Sequence, residues 1–214
     1  MSDPLVPPKD GVDEPSGGTP GSEAGPDRPD HVETVYRIGS DDTLRSVTGG
    51  WDDFARENQA EELAGDALLG QPIWKFLGNQ EVQHLFEILF SRVREEGREI
   101  TIPFRCDAPA VRRWQTLTFQ PVPDEEAAIE VTVRTLAEER RTPVRLLQPG
   151  TPRSEETLVL CAWCKRARLG EDEWSEVEEA VDRYELFGQA ELPAISHGIC
   201  PDCKERVESE ALSA

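Results

Sequence analysis

The sequence predicts an α+β protein: an antiparallel sheet of five strands covered by helices, followed by a small cysteine-rich unit. Three observations predict it. Five short segments alternate apolar and polar residues, two before residue 50 and three after residue 99. Between them runs a helical apolar stripe with a cap at each end. Four of the five cysteines form two CxxC pairs, Cys161/Cys164 and Cys200/Cys203, with thirty-five residues between the pairs. Strands, then helices, then strands, within about 105 residues, is the order of an antiparallel sheet with helices packed on it.

The elements follow in order. Residues 1–30 hold seven prolines, five glycines and seven acidic side chains, and are expected to be a disordered tail. Val32, Thr34, Tyr36 and Ile38 alternate with Glu33, Val35 and Arg37, a strand closed by the turn "GSDD", and "TLRSV" reads as its hairpin partner. Short helices are expected over "GGWDDFARENQAEEL" and "LLGQPIWKFLG". The main helix starts at the cap Asn79 and runs to Gly97, with Val82, Leu85, Phe86, Leu89 and Val93 on one side. Three strands follow, centred on Ile100/Ile102/Phe104, Gln115/Leu117/Phe119 and Ile129/Val131/Val133.

This order, the stretch "LLGQPIWKFL" and the run "FSRVREEGREITIPFRC" resemble the PAS domain, a sensory module of signalling proteins; the resemblance covers about residues 32–137. It implies a five-stranded antiparallel sheet with helices on one face, a small ligand held between them in many members, and frequent dimerisation. A flavin-photosensing member needs a cysteine in the short helical segment, and none lies between Trp51 and Gly78. Cys106 reads as a structural thiol at the end of a strand. His84 is the one candidate haem ligand, but at about 200° around the helix from Val82 it points away from the apolar stripe. Trp51, Trp74, Phe86, Phe90 and Trp114 read either as pocket lining or as plain core. The identity of any PAS ligand is unknown from sequence.

Residues 138–156 read as a charged, proline-punctuated linker, 157–207 as the cysteine-rich module and 208–214 as a tail. Ser175 and Glu178 have the spacing of a capping box, and Trp174, Val177, Val181 and Tyr184 form a stripe ending at Gly188. A module of fifty residues needs a staple. Two CxxC pairs supply one, because four thiolates close a tetrahedral zinc site. Cys161, Cys164, Cys200 and Cys203 are the expected metal ligands, with His197 as a supporting or alternative one. Lys165 and Lys204 follow the pairs and offset the charge of a zinc tetrathiolate. A thiol switch on the same pairs is the alternative chemistry, with an iron–sulfur cluster behind it. The spacing "CAWCKR … HGICPDC" also resembles a cysteine-rich carboxyl-terminal segment of bacterial signalling proteins, which implies a signalling context and no particular reaction.

Composition bounds the function. With 43 acidic against 23 basic residues the formal net charge is −20, which disfavours phosphate backbones and anionic lipid as partners and suits a well-solvated surface or a salty cytoplasm. A zinc-finger nucleic-acid binder is the weakest reading, since thirteen acidic face six basic residues from Leu158 onward. Neither a secretory leader nor a membrane-spanning run is visible, so a cytoplasmic protein is expected. No enzyme is expected either: the chain reads as a sensor or adaptor that signals to another protein, with a thiol-based redox sensor as the alternative, and the PAS resemblance alone implies a homodimer through that half.

Overall fold

Asp41 organises the first turn. In the computed structural model, which describes residues 4–7, 34–52, 65–77, 79–123, 125 and 127–212, its Oδ1 accepts from the N–H and the hydroxyl of Thr43 at 3.2 and 2.7 Å. Strand β1 (Thr34–Ile38) thereby reverses into β2 (Leu44–Thr48). A four-residue helix α1 (Gly65–Leu68) and a 3-10 turn (Ile73–Phe76) lead to the long helix α2 (Gln80–Glu96). Both ends of α2 are set locally: Asn79 Oδ1 accepts from Glu81 N–H at 2.7 Å, and Gly97, at φ 65°, donates to the Val93 carbonyl. The expected stripe is buried, with Phe90 added to it.

Strands β3 (Ile100–Arg105), β4 (Val111–Pro121) and β5 (Ile129–Arg140) complete one antiparallel sheet in the order β2-β1-β5-β4-β3. The period of two aligns side chains across strands. Ile100 faces Phe119, Phe119 faces Val131 and Val131 faces Tyr36, one row under α2. Phe119, Val131, Ile129, Ile38 and Leu89 are wholly buried, each adding about 1.5–3 kcal/mol relative to exposure.

A second sheet has the order β8-β7-β6-β9, built from β6 (Arg153–Cys161), β7 (Ala167–Arg168), β8 (Trp174–Ser175) and β9 (Leu192–Gly198). Strands β6 and β9 are parallel, so the chain between them must cross over, and α3 (Val177–Arg183) lies in that crossover. Val177, Ala180 and Val181 pack with Leu158, Leu160 and Leu192 in a separate small core. Helix α4 (Pro201–Leu212) then returns against α2 and β3.

The second unit is fastened to the first at several points. Arg105 N–H donates to the Trp163 carbonyl at 2.8 Å, Asn79 Nδ2 to the His197 carbonyl at 2.8 Å, and Arg98 Nη2 to the Ala211 carbonyl at 2.9 Å. The Arg105 guanidinium, 1% exposed, pairs with Asp107 at 2.5 Å and with Glu176 at 2.8 Å. Arg141 adds Asp107 at 3.3 Å and Glu178 at 2.9 Å. Each buried guanidinium thus has carboxylate partners, without which burial would be costly.

Several expectations change. The first is the amino-terminal tail: residues 4–7 pack on the fold, with Leu5 only 3% exposed, whereas the other residues of the 1–30 segment lie outside the described residues. The expected helix over residues 49–63 falls largely outside them too. Residues 138–156 carry the end of β5, a 3-10 turn (Arg145–Leu147) and the start of β6; paired charges such as Arg113 with Glu138 at 2.7 Å extend the strand beyond its apolar part. The capping box does not form, because Trp174 and Ser175 pair with Arg168 and Ala167 as β8, and α3 starts one residue later, after Glu176, with no side-chain capping bond. Residues 208–212 belong to α4 and not to a tail.

Candidate metal centre

Parallel pairing of β6 with β9 brings the cysteines together. It sets Cys161 beside Gly198, so both CxxC pairs emerge at the same end of the sheet. The first pair bends back on itself: Lys165 N–H donates to the Cys161 carbonyl at 3.0 Å, Cys161 N–H donates to the Arg166 carbonyl at 2.8 Å, and Lys165 sits at φ 63°. In the second pair Pro201 opens α4, where a missing N–H costs nothing. Lys204 N–H donates to the Cys200 carbonyl at 3.0 Å, which places Cys203 one turn on and facing inward.

The four sulfurs of Cys161, Cys164, Cys200 and Cys203 lie within 4.8 Å of one another, and each residue is at most 2% exposed. Four thiolates about 2.3 Å from a common ion stand about 3.8 Å apart in a tetrahedron. Cys164 Sγ and Cys200 Sγ, one from each pair, are 3.7 Å apart. The donor set therefore suits a soft or borderline metal ion in a closed, four-coordinate site.

The electrostatics favour negative sulfur on one side of the cluster. Hydrogen bonds from Cys161, Cys200 and Cys203 push the Cys164 thiol well down, and Arg166 adds to them. Cys161 is opposed by Cys164 but drawn down to about 7 by Cys200 and Cys203. Cys200 and Cys203 go up, because they give hydrogen bonds to Cys161 and Cys164. Arg166, 5% exposed, spans both pairs: its Nε donates to Cys164 Sγ at 3.3 Å and its Nη2 to Cys200 Sγ at 3.2 Å and to Asp202 at 2.7 Å.

Arg166 is the residue that the sequence reading missed. The charge-offsetting role fell to Lys165 and Lys204, but Lys165 Nζ donates to the Ala162 carbonyl at 2.7 Å and Lys204 lies on the exposed side of α4. His197 stands on β9 as an exposed residue outside the group of four sulfurs. Partial shielding of its ring from water by neighbouring groups, then the charge of Lys165, pushes its pKa down. Cys106 is half-buried and apart from the cluster, and burial raises its thiol pKa. His84 is exposed on α2, 3.5 Å from Glu87, and faces no interior site.

Trp163, between the first two cysteines, is 3% exposed. Its ring meets Phe86 at 5.6 Å, and Phe86 in turn meets Phe90 at 5.9 Å and Phe119 at 5.8 Å. Of the aromatics that read as pocket lining or core, Phe86 and Phe90 are core, Trp114 is buried on β4, and Trp51 and Trp74 are partly buried against the core, Trp74 meeting Phe90 at 5.5 Å and lining with it a cavity beside Asp42 and Arg94.

No family model matches the sequence, and no curated protein matches it. Among solved structures, a domain of an HTR-like protein from Haloarcula marismortui is similar at 16% identity and a TM-score of 0.33, covering 49% of this chain and 98% of that one. No helix among the described residues is long and apolar enough to cross a membrane.

Proposed function

We propose that the chain is a PAS-type sensory or adaptor protein whose four-cysteine unit holds one zinc ion and passes the state of the sensor half to another signalling protein. The PAS reading is supported by the two-strand, helix, three-strand order and by the single antiparallel sheet under α2. Zinc, when bound, supplies a redox-inert tetrahedral cross-link. Cys161 and Cys164 hold it from the end of β6, Cys200 and Cys203 from the start of α4, and Arg166 offsets part of the charge of four thiolates. The observation that carries the reading is Trp163, which ties that cluster to Phe86 on α2. A change at the sheet-facing side of α2 and a change at the cysteines act on the same side chains. No residue is assigned a catalytic role, and the excess of acidic groups opposes nucleic acid as the partner.

Metal analysis of protein purified anaerobically with ample zinc tests this. One zinc per chain is expected in the wild type and in Cys106→Ser, none in Cys161→Ser or Cys203→Ser, and an unchanged stoichiometry in His197→Ala. Protein without zinc, with four freely titrating thiols in the folded state, would sink the proposal. Homodimerisation through the sensor half belongs to the same reading, and a monomer mass by light scattering at high concentration removes it.

The 3.7 Å approach of Cys164 to Cys200 favours one second reading, a redox sensor in which peroxide oxidises two thiols to a disulfide and is itself reduced to water. Zinc and two thiols then leave together under mild peroxide and return on reduction; retention of both under the same treatment rejects it.

A further inference from the structure

We propose that the junction between the five-stranded sheet and the cysteine unit is a docking site for a short proline-flanked peptide turn, and that Pro4–Pro7 of the same chain is its resident occupant. Leu5 is 3% exposed and belongs to the same apolar cluster as Trp163 and the four cysteines. Its neighbour Val6 is 53% exposed. The segment turns at Pro4 and Leu5 and bends at Val6, so one side chain is set inward and the next is left outside. The backbone is read as well: the indole N–H of Trp114 donates to the Pro4 carbonyl at 3.2 Å.

The receiving side is rigid. Trp114, 5% exposed, stands on β4 opposite Arg105 of β3. The Arg105 guanidinium lies 5.9 Å from the Trp114 ring centre and is pinned by Asp107 and Glu176. The backbone N–H of the same Arg105 holds the Trp163 carbonyl. One indole donor and one apolar socket are therefore set in place by contacts from both units.

The chemistry recognised is a branched aliphatic side chain directly after a proline carbonyl. Prolines at 4 and 7 suit it twice over: they bring no N–H that needs a partner, and their fixed φ lowers the cost of ordering the segment. From Pro7 to Thr34 there are 26 intervening residues, a length that reaches about 86 Å when extended. Tethering makes the chain's own segment hard to displace, so the site opens only to a ligand of the same kind that binds better or to a chain whose own segment is disabled.

A fluorescein-labelled peptide with the sequence of residues 1–10, titrated by anisotropy into full-length protein, tests this. Full-length Leu5→Asp should bind one peptide per chain, at least about tenfold more tightly than the wild type, whose site is filled. Val6→Asp, altered at the outward residue, should behave as the wild type does. A peptide carrying Leu5→Asp should bind none of them. If Leu5→Asp fails to fold by circular dichroism, Leu5→Ala takes its place with the same expectations. Equal binding to wild type and variant, or no binding to the folded variant, overturns the proposal. So does a wild-type dimer in sedimentation that becomes monomeric in the Leu5 variant, which would assign the occupant to a second copy.

Discussion

Trp163 and Phe86 meet ring to ring at 5.6 Å, one from the turn between Cys161 and Cys164 and the other from the buried face of α2. The carboxyl-terminal unit therefore contributes a side chain to the core of the amino-terminal sheet. Truncating Trp163 to alanine leaves a cavity beside Phe86 and costs about 3–5 kcal/mol. Urea unfolding followed by circular dichroism should show one transition at a lower midpoint for Trp163→Ala. Two transitions, with the sheet unaffected, would mean that the two units do not share a core.

Arg166 predicts a graded effect on metal retention. With its guanidinium on Cys164 and Cys200, Arg166→Gln removes a positive charge from a site that holds up to four negative sulfurs, and outer-sphere changes of this kind cost roughly 10–100-fold in affinity. Zinc loss to a chromophoric chelator should accelerate by about tenfold or more, with stoichiometry still at one per chain. Arg166→Lys should fall between. An unchanged rate in Arg166→Gln would show the contact to be incidental.

Glu178 predicts a pH effect. Burial alone would raise its pKa, but its own backbone N–H, Arg141 and Arg112 hold it below the usual carboxylate range. A carboxyl depressed in the folded state stabilises fully above its unfolded value, about 4.3, and the contribution disappears as pH falls through the lower, folded value. The urea midpoint of wild type should thus fall more steeply below about pH 4.3 than that of Glu178→Gln, and the two slopes should agree from pH 6 to 7. Parallel curves throughout would reject the assignment. Comparing the two proteins at each pH cancels the acid release of metal from the cysteines.

Asn79 serves two units at once. Its Oδ1 caps α2 and its Nδ2 reaches the His197 carbonyl. Asn79→Ala loses both, about 1–3 kcal/mol in sum. Asn79→Asp keeps the cap and loses the donor, so it should recover about half of the deficit. Full recovery by aspartate would show that the link to β9 contributes nothing.

Much of the first unit is legible in the sequence because its signals are local. Asn79, the Val82 to Val93 stripe and Gly97 define α2 without any knowledge of what it packs on. The cysteine cluster is legible for the same reason, since each CxxC is a local turn and only their meeting has to be inferred. Arg166 is not, because its reach to Cys200 depends on β6 pairing in parallel with β9 across some thirty-five residues. Leu5 is not either. A single buried side chain in a proline-rich stretch leaves no periodicity to read. The false capping box at Ser175 shows the converse: a local pattern yields to tertiary pairing when two residues can extend a sheet.

The parallel pairing of β6 with β9 also bears on the order of events during folding. Parallel neighbours cannot form until the whole crossover between them has been made, and contacts that distant in sequence are slow to close. Here Cys200 and Cys203 follow that crossover in the chain, so the second CxxC pair meets the first only once β9 has paired with β6. The sheet under α2 must then wait, with the position of Trp163 open, until the carboxyl-terminal strand arrives. Refolding monitored by Trp163 should lag behind formation of the first hairpin, and zinc added after that lag should be captured as quickly as zinc present from the start.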